Sequence, residues 1–241
     1  MNPLSGTGVW AALGVLAALY ERWYGFTHPR PEELGEWSYG LPEAATPAGR
    51  LVANPGCYAT AALLALHPIR DAIDPGSVVV DAKSGMTGAG RSLKPSSHAG
   101  FVLENVSPYK VGEHQHVPEI AQLLGFPVSL TPHLLPVRRG LIATCYVRST
   151  GPDLRDLLEG HYADSHVVTV LPRGVAPELS RVQHTDAAEI GVYEDSFTNH
   201  TIVVCAIDNL GKGAAGQAIQ NANLLFGFDE TDGLRLSGVL V

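Results

Sequence analysis

The chain has 241 residues, enough for one large domain or two small ones around a sizeable core. With 45% hydrophobic and 17% charged residues it has the composition of a soluble globular protein. A formal net charge of −8 argues against a nucleic-acid-binding surface and against adsorption to an anionic membrane.

The N-terminal run Val9 to Leu19 is apolar but shorter than the roughly 20 residues that span a bilayer. No Lys or Arg precedes it, and Glu21-Arg22-Trp23 follows without a cleavage site. It therefore reads as an N-terminal helix rather than a secretion signal. Tyr20 to Glu43 is an aromatic-rich loop region broken by prolines, with a helical turn over Pro31 to Trp37. Arg50 to Ala53 is a short strand, and Tyr58 to Leu66 a helix. Ser77 to Ala82 is an apolar, β-branched run that reads as a buried strand. It ends in a loop, Lys83 to Arg91, with three glycines, two hydroxyls and two cations, suited to approaching an anion. Pro118 and Glu119 open a helix running to about Leu124. Strands at Val128–Thr131 and Leu141–Val147 flank the loop His133 to Gly140. Then come a helix at Leu154–Tyr162, strands at Val167–Leu171, Thr185–Val192 and Thr201–Ile207, and a glycine-rich entry into an amphipathic helix over Gly211–Phe226. The interleaving predicts an α/β or α+β fold: a mixed, largely antiparallel sheet with helices covering one face.

Cys57, Cys145 and Cys205 are too few, and odd in number, for a disulfide framework, which points to a reducing, cytoplasmic setting. Cys145 and Cys205 sit inside apolar strands and read as core. Cys57 differs. It lies in Asn54-Pro55-Gly56-Cys57-Tyr58-Ala59-Thr60, a Pro-Gly turn that opens a helix. Glycine frees the turn, and the unpaired amides and dipole of the helix face the sulfur. That environment favours the thiolate, which is the nucleophile.

A nucleophilic thiol needs a proton partner. Among ten histidines, His114 and His116 stand out because they flank one residue and precede Glu119. In an extended stretch both rings share a face, and Glu119 could orient one of them. Two histidines and a carboxylate could also ligate a metal, but no further ligand cluster accompanies them, so no metal is expected. Arg138-Arg139 could clamp a carboxylate or phosphate, or be an ordinary surface pair. Gly211-Lys212-Gly213-Ala214-Ala215-Gly216 matches the dinucleotide fingerprint. Only about 25 residues follow it, too few for a complete βαβ unit, so a self-contained nucleotide site there is rejected.

The segments Tyr20–Gly25, Tyr39–Glu43, Asn54–Thr60, Ser84–Arg91, His114–Ile120, Pro132–Gly140 and Asp208–Ala214 together resemble N-acetyl-gamma-glutamyl-phosphate reductases, NADPH-dependent enzymes of arginine biosynthesis in the semialdehyde dehydrogenase family. The resemblance runs in family order from about Tyr20 to Leu234. It implies a chain lacking most of the N-terminal nucleotide-binding half: residues 1–56 as its remnant, 57–207 as the catalytic and substrate domain, and 208–241 as a C-terminal helix packing on that half. It further implies an acyl-phosphate substrate, NADP as cofactor, a homo-oligomer, and an exposed apolar patch where the Tyr58 and Gly211–Phe226 helices pack together. Cys57 would attack the acyl phosphate, with His116 or His114 handling the proton and Glu119 beside them. Arg139, Arg91 and Lys83 would hold substrate anions. Ser84, Gly85 and Asn209 would lie near the nicotinamide. The alternatives are a catalytically silent fragment or interaction remnant, and a cofactor-free cysteine acyl-transfer protein.

Overall fold

The computed structural model describes residues 20–25, 27–90 and 98–238. The expected helix at Val9–Leu19 and the candidate Arg91 lie outside them. The chain enters through α1 (Tyr20–Tyr24), a 3-10 turn at Pro31–Glu36, and β1 (Trp37–Tyr39), which pairs in parallel with β2 (Leu51–Ala53). There follow α2 (Cys57–Leu66), β3 (Val79–Gly85), α3 (Ala99–Val102), β4 (Ser107–Pro108), α4 (His116–Leu124), β5 (Ser129–Leu135) and β6 (Leu141–Val147). Then come α5 (Leu154–His161), β7 (Val168–Val170), α6 (Leu179–Val182), β8 (Ala188–Asp195) and β9 (His200–Ile207). A π-helical turn at Gly211–Ala215 feeds α7 (Gly216–Phe226).

Seven strands form one sheet in the order β4-β5-β3-β6-β9-β8-β7. Pairing is antiparallel at β4–β5, β3–β6, β6–β9 and β8–β9, and parallel at β3–β5 and β7–β8. This is the mixed, largely antiparallel sheet that the interleaved pattern predicts.

Strand alternation gives the sheet two unlike faces. On β6, Leu141, Ala143, Cys145 and Val147 are buried, while Ile142, Thr144 and Tyr146 between them are half-buried. The register sets Ala143 opposite Cys205 and Cys145 opposite Val203, so both cysteines fall in the core, fully buried. Across this face lies α2, packed on β6, β9 and α4. Every residue from Tyr58 to Leu66 is buried, as expected of a helix apolar all round. Ala59, Ala61, Ala62 and Ala65 let it approach closely, while Leu63, Leu64 and Leu66 each contribute roughly 1.5–3 kcal/mol through burial. The opposite face is more polar: Lys83 and His133 both reach Asp81 there. Among the described residues, no helix is long and apolar enough to cross a membrane.

Two boundaries differ from expectation in ways that shape the site. The loop expected from Lys83 is strand as far as Gly85, because Ser84 and Gly85 pair with Leu134 and Leu135 of β5. The helix expected from Pro118 begins at His116, so the two histidines do not lie on an extended stretch. Elsewhere, Trp37, expected to end the helical turn, and Ser38–Tyr39, expected as loop, form a strand held by its partner β2.

Candidate active site

Cys57 is the first residue of α2, with Gly56 as its N-cap. Gly56 has φ −72 and ψ 150, which any residue adopts, so it is not the conformational freedom of glycine that the turn requires. Space is what matters: a Cβ on Gly56 would lie 2.2 Å from His116 Nε2. The imidazole of His116 is pressed against the backbone next to the cysteine. On the other side stands the π turn, where a Cβ on Gly213 would lie 2.8 Å from Cys57 Cβ. It is this turn that packs on α2.

His114 and His116 meet, with ring centroids 4.7 Å apart at 72°. A turn brings them together: the His116 amide donates to His114 Nδ1 at 3.2 Å. Tyr58 walls this pair, 5.3 Å from the His114 ring and 6.0 Å from the His116 ring. Glu119 orients neither histidine. Its Oε1 accepts the Gly56 N–H at 3.0 Å and the Tyr39 hydroxyl at 2.9 Å, so it fixes the cysteine turn instead. Glu119 Oε2 and His116 Nδ1 are buried without a hydrogen-bond partner.

Burial dominates the charges here. It pushes the Cys57 thiol up to about 12; the amides of Tyr58 and Cys57 pull it down, and the Glu119 charge adds to the rise. Cys57 keeps part of its surface exposed; the helix terminus acts in the expected direction, against the larger desolvation of the pocket around it. Burial also holds His116 down at about 3 and His114 at about 2, both imidazoles being neutral, with the charge of Lys110 adding to the effect. Glu119 is raised to about 8 by burial, against hydrogen bonds from Gly56 and Tyr39.

Ser84 is buried next to the last residue of β3, and a Cβ on Gly88 would meet its Oγ at 2.3 Å. Asn209 Oδ1 accepts the Gly140 N–H at 2.7 Å, and its Nδ2 donates to Thr87 Oγ1 at 3.0 Å. A Cβ on Gly85 would lie 2.8 Å from the Arg139 amide. These three residues knit the 86–90 turn to the 137–140 loop. Arg139 Nε lies 2.7 Å from Asp208 Oδ2 and its Nη1 lies 3.1 Å from His184 Nδ1. Asp208 is fully buried and also accepts the amides of His184, Leu210 and Gly211. Lys83 is not part of this group: it alternates to the opposite face of the sheet from Ser84 and pairs with Asp81.

Gly211–Gly216 makes no phosphate cradle. Cβ atoms on Gly211 and Gly216 would strike Thr185 O at 2.0 Å and Asp186 Oδ1 at 2.1 Å, so the turn is covered by its own chain. Tyr39 and Asp208 were legible only as members of motifs. Nothing in their local sequence says that one reaches Glu119, 80 positions away, or that the other reaches Arg139.

A sheet of this topology with a cysteine at the head of its covering helix defines a class. Residues 57–209 match the model of the semialdehyde dehydrogenase dimerisation domain. Solved aspartate semialdehyde dehydrogenases share the fold. The Vibrio cholerae enzyme II complexed with ASA superposes with a TM-score of 0.65 at 19% identity, over 88% of this chain and 77% of that one. A probable aspartate-semialdehyde dehydrogenase from Pseudomonas aeruginosa gives 0.62 at 18%, over 78% and 66%. Sequence relatives narrow the class. The N-acetyl-gamma-glutamyl-phosphate reductase of Desulforudis audaxviator is 46% identical over 92% of this chain and 68% of its own length. That of Rhodospirillum rubrum is 46% identical over 90% of this chain and 66% of its own. The chain belongs to the N-acetyl-gamma-glutamyl-phosphate reductase family, and it spans about two thirds of the length of these relatives.

Proposed function

We propose that these residues form the acyl-transfer half of a cytoplasmic, NADPH-dependent reductase that converts N-acetyl-gamma-glutamyl phosphate to N-acetylglutamate semialdehyde and phosphate. The observation that carries this reading is Cys57 at the head of α2, next to a turn against which a neutral His116 ring is packed. In the reaction the Cys57 sulfur bonds to the acyl carbon, the carbon–oxygen bond to phosphate breaks, and phosphate leaves with that electron pair. The thiol proton passes to His116. In the resting pocket that transfer is uphill, with the thiol near 12 and the imidazole near 3. An arriving phosphate anion raises the imidazole and narrows the gap. The amides at the head of α2 face the developing oxyanion, and Arg139, oriented by Asp208, receives an anionic group of the substrate.

Reduction of the thioester takes a nicotinamide cofactor. The described residues do not fit a complete dinucleotide site: Gly211–Gly216 is covered, and both polar ends of Asn209 are engaged within the protein. Ser84, Gly85 and Asn209 would lie near the nicotinamide end of the cofactor, while its adenosine end has no home among the described residues. In this reading residues 57–207 are the catalytic and substrate domain, and 1–56 and 208–241 belong with the nucleotide-binding part. A second copy would pack on the half-buried sheet face bearing Ile142, Tyr146, Ile202 and Val204.

The test is to mix the protein with N-acetyl-gamma-glutamyl phosphate and look for released phosphate and a thioester on Cys57 by mass spectrometry. An adduct missing from Cys57→Ser supports the reading, and NADPH oxidation alongside it supports the full reductase. The covered glycine turn favours a second reading, acyl transfer without cofactor, marked by turnover that ignores NADPH. No adduct under any condition would leave a silent fragment.

A further inference from the structure

Lys212 is a cation only 1% exposed, with no part in the acyl-transfer chemistry. Its Nζ lies 2.5 Å from Glu43 Oε1 and 2.5 Å from Gln220 Oε1. Gln220 Nε2 donates to the same Glu43 oxygen at 2.9 Å and to Glu230 Oε1 at 2.7 Å. Burial drives the Glu43 carboxyl up, but the charge and hydrogen bond of Lys212 outweigh it and hold the group below its ordinary value. The pair is ionic, and it ties the segment after β1 to the π turn.

The residues next to Lys212 hold the cysteine. Gly213 faces Cys57 Cβ with no room for a side chain, and the Ala214 carbonyl accepts Asn54 Nδ2 at 3.1 Å. Asn221 Nδ2 donates to Asn54 Oδ1 at 3.0 Å and to Gly40 O at 2.9 Å. Wide-ring backbone bonds, Gly213 N–H to Asp208 O at 2.9 Å and Ala215 N–H to Leu210 O at 3.0 Å, make the turn a π bulge. Such bulges recur at functional sites because they re-aim neighbouring residues. Here Lys212 turns inward to Glu43 while Gly213 faces the Cβ of Cys57.

We propose that the Lys212–Glu43 ion pair is a positioning device for Cys57: it sets how closely the Gly213 backbone presses on the cysteine, and so how far the sulfur is shut from water. A buried ion pair adds little net stability over an apolar pair of the same volume; what it fixes is one geometry. The inference rests on the reading of Cys57 as the nucleophile.

The experiment uses the full chain and the variants Glu43→Gln, Lys212→Met and the double variant. Glu43→Gln keeps the acceptor oxygen, so it stays informative if Lys212→Met does not fold. Iodoacetamide labelling under native conditions is followed for Cys57 and, as an internal control, for Cys145, which is fully buried in mid-strand. Acylation of Cys57 by acetyl phosphate is measured in parallel. Loosening Gly213 admits water, so Cys57 alkylation should rise about fivefold while Cys145 stays within about twofold. Acylation should fall about tenfold, because the aimed geometry is lost. The double variant should go no further than either single one, since the partners act as a unit. Both cysteines speeding up together would mean loss of fold and would overturn the proposal, as would unchanged Cys57 rates in folded variants. If acetyl phosphate fails to acylate the unaltered protein while the alkylation rates still separate, the acyl-transfer reading falls and the positioning role stands.

Discussion

The ring of His116 lies against the backbone of Gly56 so closely that a methyl group at 56 would sit 2.2 Å from Nε2 and 2.4 Å from Cε1. The ring is also packed by His114 and Tyr58, which limits how far it can shift. Gly56→Ala is therefore a clean test of contact, since alanine accepts φ −72 and ψ 150 without strain. The variant should fold with a cost of about 1–3 kcal/mol in urea denaturation. Acylation of Cys57 should fall about a hundredfold, because the imidazole is pushed off the site. Acylation at the unaltered rate would show that the packing of His116 on the turn is incidental.

The thiol of Cys57 is held near 12 by burial, so alkylation of the resting protein should still be climbing at about pH 9.5, well past the midpoint near 8.5 of a free thiol. Inorganic phosphate should speed this alkylation at neutral pH. An anion beside His116 favours the imidazolium, and an imidazolium favours the thiolate. The rate, followed by peptide mass spectrometry, should rise severalfold with phosphate and return to baseline in His116→Gln.

The sequence carried the core strands well, because the apolar runs over Leu141–Val147 and Thr201–Ile207 are local signals, and the two segments pair side by side in the sheet. It carried the place of Cys57 at the head of a helix as well, since a Pro-Gly turn before an apolar helix is local too. It misassigned the reason for Gly56, because closeness to a side chain 60 positions away leaves no mark beside the glycine. The role of Glu119 failed for the same reason: its partners, Tyr39 and Gly56, come from elements far away in the chain. Lys83 failed on parity. A strand running to Gly85 puts Ser84 and Lys83 on opposite faces, whereas a loop would have allowed both to reach the site.

Three buried groups contribute opposing limbs to the pH profile of stability. Glu119 has a folded pKa of about 8 against an ordinary 4.5, so between these values the unfolded chain has lost a proton that the folded one keeps. Stability falls there as pH rises, by about 1.4 kcal/mol per unit. His114 and His116 act oppositely, with folded values of about 2 and 3 against 6.5. From about pH 3 to 6.5 the unfolded chain binds protons that the folded one does not, and stability rises. Two rising contributions exceed one falling one, so these groups put the maximum near pH 6.5. Glu119→Gln should flatten the limb from about pH 6.5 to 8 in urea titrations and leave the acid limb in place. A falling limb of the same slope in the variant would locate its cause elsewhere.

Arg139 is half-buried, and its guanidinium lies in ion-pair range of Asp208 and within hydrogen-bond reach of His184. Such a planar group can hold Asp208 on one edge and meet a substrate anion with another, which an ammonium cannot do. Arg139→Lys should raise the acyl phosphate concentration for half-maximal acylation about tenfold and change the saturated rate little. A fall in the saturated rate alone would move Arg139 from binding to the chemical step.

Among the described residues Tyr39 hydrogen-bonds to the site through Glu119, so Tyr39→Phe tests that link without altering Cys57. Removing the hydroxyl takes away one of the two hydrogen bonds that hold the Glu119 pKa down. The carboxyl should then ionise later, and the falling limb of stability should run past pH 8 in urea titrations. The lost bond itself should cost about 1 kcal/mol at pH 6.5, where Glu119 is protonated in both proteins. The Glu119 charge is one of the influences raising the Cys57 thiol. With that charge suppressed, Cys57 in Tyr39→Phe should alkylate faster at about pH 8.5 than in the unaltered protein, despite the lower stability. An alkaline limb that ends at pH 8 as before would mean that the phenol only packs against Glu119, and that the Gly56 amide alone governs the carboxyl.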